Sequence, residues 1–191
     1  MTADTGRGRP TYRHGNVRAE AVAAAGRMVR DGGAASLSLR QVAAALGIAH
    51  RSLYNHFADR DALLRAVAAQ GYADLAGTLA AAGDGPAFRR AYLGFALEQP
   101  AVYGLMMAQS RDAIAGDPEL AAAVEKVIAL AIAALAIAAL GDPGAGAEDN
   151  RRAVMRDWMF LHGAVALQAS GILQARGRED FLAEAERIRN A

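Results

Sequence analysis

The chain has 191 residues, 53% of them apolar, so it is long enough to bury a sizeable core and too apolar for global disorder. It contains no cysteine, which excludes disulfides and thiolate metal sites. A formal net charge of +1 hides an asymmetry: residues 1–60 hold nine arginines and four acidic residues, a balance of +5, and residues 61–191 carry −4.

A basic first third on an acidic remainder suggests a polyanion-binding head on a body with another task. Chance clustering on a solvated surface accounts for the charge equally well. Residues 1–11, rich in Thr, Gly, Arg and Pro, read as a flexible arm. Arg7, Arg9 and Arg13 fit either a minor-groove arm or a disordered tail. The opening MTADTGRGRP lacks the apolar stretch of a signal peptide. The longest apolar run, Val127 to Leu140, is fourteen residues, short of the ~20 that span a membrane. A soluble, cytoplasmic protein without membrane contact is expected.

From Asn16 the apolar pattern turns helical, with Val17, Ala21, Val22, Ala25, Met28 and Val29 on one face. Asp31, Gly32 and Gly33 stop that helix. Ser38, with Gln41 three residues later, has the spacing of a capping box. The helix it opens buries Val42, Ala43 and Leu46. Gly47 permits a tight turn, and Ile48 fills the angle of the turn. A short third helix is predicted from about Ala49 to His56, with Leu53 and Phe57 inward. Asp59 caps a fourth helix bearing Leu63, Leu64, Val67 and Tyr72. Further helices are predicted at roughly 87–98, 100–109, 117–140, 148–173 and 178–189, with a mobile loop at GDPGAGAED. The expected fold is all-α.

A helix, a glycine turn and a second short helix form a helix-turn-helix, whose second helix enters the major groove. That helix has to bury one face and expose hydrogen-bonding groups on the other. His50, Arg51, Ser52, Tyr54, Asn55 and His56 supply such groups with no acidic residue among them, which suits a polyanion.

The stretch LSLRQVAAALGIAHRSLYNHFADRDALLRAV, residues 37–67, resembles the signature of the TetR/AcrR family of regulators. The matches are Ser38, Leu46, Gly47, Ile48, Leu53, Tyr54, His56, Phe57, Arg60, Leu63 and Leu64. Two positions depart from the pattern. Ala49 replaces the Ser or Thr that many members use to cap the recognition helix, and Arg60 stands where Lys is usual. The resemblance implies a DNA-binding head over residues 12–64 and a helical ligand-binding and dimerisation body over 65–191. It implies phosphate contacts for Ser38, Tyr54, His56 and Arg60, and a groove contact for Ser52. Base reading falls to Arg40, His50, Arg51 and Asn55, arginine to guanine being the commonest specific contact. Tyr54 as a plain core aromatic and His50 as an idle solvated group are the bland alternatives.

The pieces AYLGFALEQPAVYGLMMAQ and WMFLHGAVALQASGIL resemble the C-terminal domain of the WHG subgroup, on Trp158, His162 and Gly163. Phe95, Tyr103, Met106, Met107, Trp158, Met159 and His162 are the candidates to line a pocket for an apolar ligand. The alternative is an ordinary core, with His162 holding a backbone carbonyl. Small residues Gly163, Ala164, Ala166, Ala169, Ser170 and Gly171 suit close packing against a second copy.

The function implied is a dimeric transcriptional regulator on a palindromic double-stranded operator, repressing until a small effector releases it. No cofactor or metal site is expected, the four histidines lacking ligand spacing. No nucleotide or hydrolase motif is present, so an enzyme is not expected. The rival reading is a helical interaction protein without DNA binding.

Overall fold

A computed structural model describes residues 16–139 and 147–190. Among them are ten α-helices, one 3₁₀ turn and no strand. The expected N-terminal arm and the GDPGAGAED loop as far as Gly146 lie outside the described residues. No helix among the described residues is long and apolar enough to cross a membrane.

The first four helices are α1 (Val17–Gly32), α2 (Leu39–Leu46), α3 (His50–Tyr54) and α4 (Arg60–Ala80). The body adds α5 (Gly85–Glu98), α6 (Pro100–Met107), α7 (Arg111–Ala115), α8 (Pro118–Ala139), α9 (Ala147–Ala169) and α10 (Arg178–Asn190). Among the described residues five helices begin at side-chain caps. Ser38, Asp59, Asp84, Ser110 and Asp117 accept from the backbone N–H three residues on, at 3.2, 2.7, 2.7, 3.1 and 3.1 Å. Ser38 also donates to Gln41 Oε1 at 2.8 Å, a variant of the expected capping box.

Gly47 has φ +66° and ψ +27°, the left-handed conformation the turn requires. Ile48 N–H returns to the Ala43 carbonyl and Gly47 N–H to that of Ala44, the Schellman pattern that closes α2. α3 is shorter than the sequence suggests. Its cap residue Ala49 makes no side-chain bond. Past Leu53, whose carbonyl takes the N–H of both His56 and Phe57, the chain tightens and leaves the helix. α9 ends at Ala169, four residues early, because Gly171 adopts φ +74° and Ile172 N–H turns back to the Leu167 carbonyl. The five-residue α7 is too short for periodicity to reveal.

α4 runs unbroken across the boundary expected at 64/65. One continuous core runs along it, holding Leu63 and Leu64 together with Leu53 and Phe57 of the head, and Tyr72, Leu75 and Leu79 further along. α4 packs on α1, α5, α6 and α8. At its crossing with α6, a Cβ on Gly71 would stand 2.8 Å from both Met106 Sδ and Val102 Cγ1, so the close approach depends on glycine. Tyr72 Oη donates to the Met106 carbonyl across the same crossing, at 3.2 Å.

Candidate nucleic-acid interface

α3 is held from beneath by Leu53, fully buried, and by Phe57, nearly so. Arg18 of α1 lies over the Phe57 ring, 5.6 Å from its centroid. With that face fixed, His50, Arg51, Tyr54, Asn55 and His56 are exposed and Ser52 is half-buried. Tyr54 is 50% exposed, which disposes of the core-aromatic alternative. Its ring meets that of His50 edge-on at 5.1 Å. Asn55 and His56 lie in the turn after the helix rather than on it. Arg40 on α2 is also exposed, and neither it nor Arg51 has an ion-pair partner among the described residues. The expected reading residues therefore present one uncompensated basic, hydrogen-bonding surface.

Ser38 and Arg60 are more committed. The Ser38 hydroxyl is bonded to Gln41 in both directions. Arg60 donates from Nε to the Leu37 carbonyl at 2.9 Å and from Nη2 to the Ala34 carbonyl at 2.5 Å, and pairs with Asp61. It fastens the start of α4 to the 3₁₀ turn (Ala34–Ser36) and the entry of α2. A phosphate role for either residue competes with these bonds.

Two ion pairs tie the head to the start of α8. Arg18 meets Glu119, and Arg65 Nε lies 3.5 Å from Asp117. Both escaped the sequence reading, since nothing local joins residues so far apart along the chain.

In the body, Tyr103 Oη lies 2.8 Å from His162 Nδ1, and Tyr92 Oη lies 3.2 Å from Tyr103 Oη and 3.4 Å from His162 Nε2. Trp158 packs against the His162 ring at 5.3 Å and the Tyr92 ring at 5.9 Å. Burial raises the Tyr92 and Tyr103 hydroxyls above their ordinary pKa, and pushes Tyr72 up to about 12, with Tyr103 adding to the effect. Burial holds His162 below 6.5. Tyr103, Trp158 and His162 are thus brought together, with Tyr92 at the centre. Phe95 and Met106 are buried in the same core and Met107 is half-buried. Met159 is not with them. One position beyond Trp158 it turns about 100° around the helix, and it is 62% exposed. With Met155, Arg152 and Arg156 it lines a surface groove.

The His162 cluster is bonded and packed, and the larger clefts lie elsewhere. One of about 520 Å³ opens between α8, α9 and α10. Beneath it, Asp157 Oδ2 accepts from Arg89 Nη1 and Oδ1 from Arg189 Nε, both at 3.1 Å. Arg89 is 6% exposed. The available signal was an arginine three before Tyr92 on the apolar stripe of α5. No group of His, Asp or Glu among the described residues is placed to hold a metal.

Residues 21–67 match the profile described as bacterial regulatory proteins of the tetR family. Residues 86–187, more than half the chain, match that of the tetracyclin repressor-like C-terminal domain. An HTH-type transcriptional regulator of Mycobacterium tuberculosis is 36% identical over 90 residues, 42% of this chain and 38% of the relative. The match therefore spans little more than a third of that relative's length. A protein of unknown function from Rhodococcus sp. RHA1 superposes with a TM-score of 0.75 at 28% identity, over 94% of this chain and 96% of that one. A chain reported as a possible TetR family transcriptional regulator from Streptomyces coelicolor A3(2) shares the fold, with a TM-score of 0.59 at 22% identity over 82% and 73% of the two chains.

Proposed function

The chain belongs to the TetR family of bacterial regulatory proteins, which are regulators and not enzymes, and from that membership we propose that it is a dimeric, DNA-binding transcriptional repressor released by a small ligand. The observation that carries the reading is the outer surface of α3 and of the turn that follows it. Six consecutive hydrogen-bonding or basic positions are broken only by the buried anchor Leu53, and no acid lies among them. Arg40, His50 and Arg51 read bases, and Asn55 reaches them from the end of the helix. Tyr54 and His56 hold phosphate, which positions the head without carrying sequence information.

A five-residue helix reads too few base pairs to specify an operator. Two copies related by a two-fold axis present two such helices to successive major grooves, about 34 Å or somewhat more apart, and the operator is palindromic. α9 and α10 supply the joining face. Met155, Met159, Leu167 and Ile172 are exposed along and just beyond α9, beside the small residues Ala166, Ala169, Ser170 and Gly171. Ala164 belongs to the chain's own core.

The ligand acts from the body by favouring one arrangement of the two heads over another. α4 is the lever, since it packs on α1 of the head and on α5, α6 and α8 of the body. The test is a mobility shift with DNA from upstream of the protein's own gene. Specific retardation that survives excess unrelated duplex supports the reading. Failure on that DNA and on a broad library of duplexes refutes it and leaves a helical interaction protein.

A further inference from the structure

The cleft between α8, α9 and α10 has about 520 Å³ of space, within the usual range for small-molecule sites. Its walls are apolar: Leu135 from α8, Phe160 from α9 and Ile188 from α10. Its polar side is charged: Arg156, Asp157 and Arg189. Asp157 is already engaged at both oxygens, one by Arg89 and the other by Arg189. Three guanidinium groups therefore face one carboxylate, an excess of two positive charges. Arg156 is exposed and has no ion-pair partner among the described residues. Arg89 Nε is buried and has no hydrogen-bond partner. Arg89 lines a narrow recess that shares Phe160 and Arg189 with the cleft. A buried donor left over beside an apolar wall, with net positive charge at the rim, is complementary to a group that is anionic at one end and hydrocarbon at the other.

We propose that this cleft binds an amphipathic organic monoanion, a carboxylate or sulfonate whose acid group meets Arg156 and Arg189 and whose hydrocarbon body lies on Leu135, Phe160 and Ile188. The site is separate from the Tyr92–Tyr103–His162 cluster, whose polar atoms bond to one another. It also has a route to the head. Leu135 stands 17 residues from Pro118, about 26 Å along α8 at the helical rise. At that far end Asp117 and Glu119 hold Arg65 and Arg18 of the head. This second step rests on the ligand-release reading, whereas binding itself does not.

The test uses the full chain without DNA. The fluorescent sulfonate 8-anilinonaphthalene-1-sulfonate is titrated in, then competed with decanoate and with decanol, its uncharged counterpart. We expect one saturable site per chain, displaced by decanoate at least tenfold more effectively than by decanol. Arg156→Glu and Ile188→Asp each weaken binding tenfold or more, whereas Arg151→Glu, on the same helix outside the cleft, leaves it unchanged. Both cleft positions are exposed, and matching thermal melts confirm that each variant folds. Failure of the wild type to bind either anion overturns the proposal, as does equal displacement by decanol or wild-type affinity in Arg156→Glu. Loss of dimerisation in Arg156→Glu with probe binding intact also overturns it, assigning the cleft to a second copy. In a second arm with operator DNA added, decanoate that binds but leaves the DNA bound supports the site and refutes its route to the head.

Discussion

Ala49→Ser should stabilise α3, whose cap position carries no side chain able to accept from the first turn. Ala49 has φ −64° and ψ +134°, the extended conformation of a cap residue, and it is exposed, so a serine there meets no steric obstacle. Its carbonyl already accepts from Ser52 N–H at 2.8 Å, whereas the N–H groups of His50 and Arg51 open the helix without a protein partner among the described bonds. A hydroxyl at 49 provides the acceptor that Ser38 and Asp59 provide for α2 and α4. Such caps contribute about 1 kcal/mol, a factor of roughly five in an equilibrium constant. The gain falls on local opening of α3 rather than on global unfolding, so amide hydrogen exchange is the assay. Exchange at Ser52, Leu53 and Tyr54 should slow about fivefold. DNA affinity should rise by no more than that factor, because preorganisation recovers only the fraction of the time α3 is open. Unchanged or faster exchange in α3 would refute the account of why this helix is short.

Arg51→Ala and Arg40→Ala should relax sequence preference at a cost of about 1–3 kcal/mol per base contact, whereas Tyr54→Phe and His56→Ala should weaken binding to all duplexes alike. Competition binding against single-base operator variants separates the two patterns, and a selective effect of His56→Ala would contradict its assignment. Gly71→Ala places a methyl 2.8 Å from Val102 Cγ1 and Met106 Sδ, and the displaced α4–α6 crossing should cost about 1–3 kcal/mol in chemical denaturation. An unchanged denaturation midpoint would show that the crossing yields freely. His162 is held neutral by burial, so its contribution to stability is complete above about pH 6.5 and declines as pH falls below that, where the unfolded chain takes up the proton more readily. Melting temperature should drop between pH 7 and pH 5, and His162→Gln should flatten that slope; an identical slope in the variant would locate the titration elsewhere.

The head was legible because its signals are local. A cap at Ser38, a positive-φ glycine at 47 and anchors four apart at Leu53 and Phe57 each act within one turn of chain, and each stands where the sequence put it. The outward set on α3 follows from the buried one, since a short segment anchored at Leu53 and, just past its end, at Phe57 has little rotational freedom left. The body was less legible, because its polar chemistry is long-range. Nothing near Arg89 announces Asp157 68 positions away, and nothing near Tyr92 announces His162. Alanine-rich helices with apolar residues on several faces also leave the buried side ambiguous, so pattern alone does not separate Met159 from Trp158. Arg60 illustrates a further limit. Its place at the head surface was readable, but its bonds to the Ala34 and Leu37 carbonyls depend on tertiary geometry.

The central claim is that the exposed face of α3 reads DNA as one half of a two-fold symmetric pair. Selection from a pool of randomised duplexes, run in parallel with the wild type and with Arg51→Ala, tests it most directly. The account predicts a dyad-symmetric consensus for the wild type, with half-sites about one helical turn apart or somewhat more, and degraded preference at one base pair in each half-site for the variant. An asymmetric consensus, no enrichment at all, or the same consensus from Arg51→Ala would contradict it.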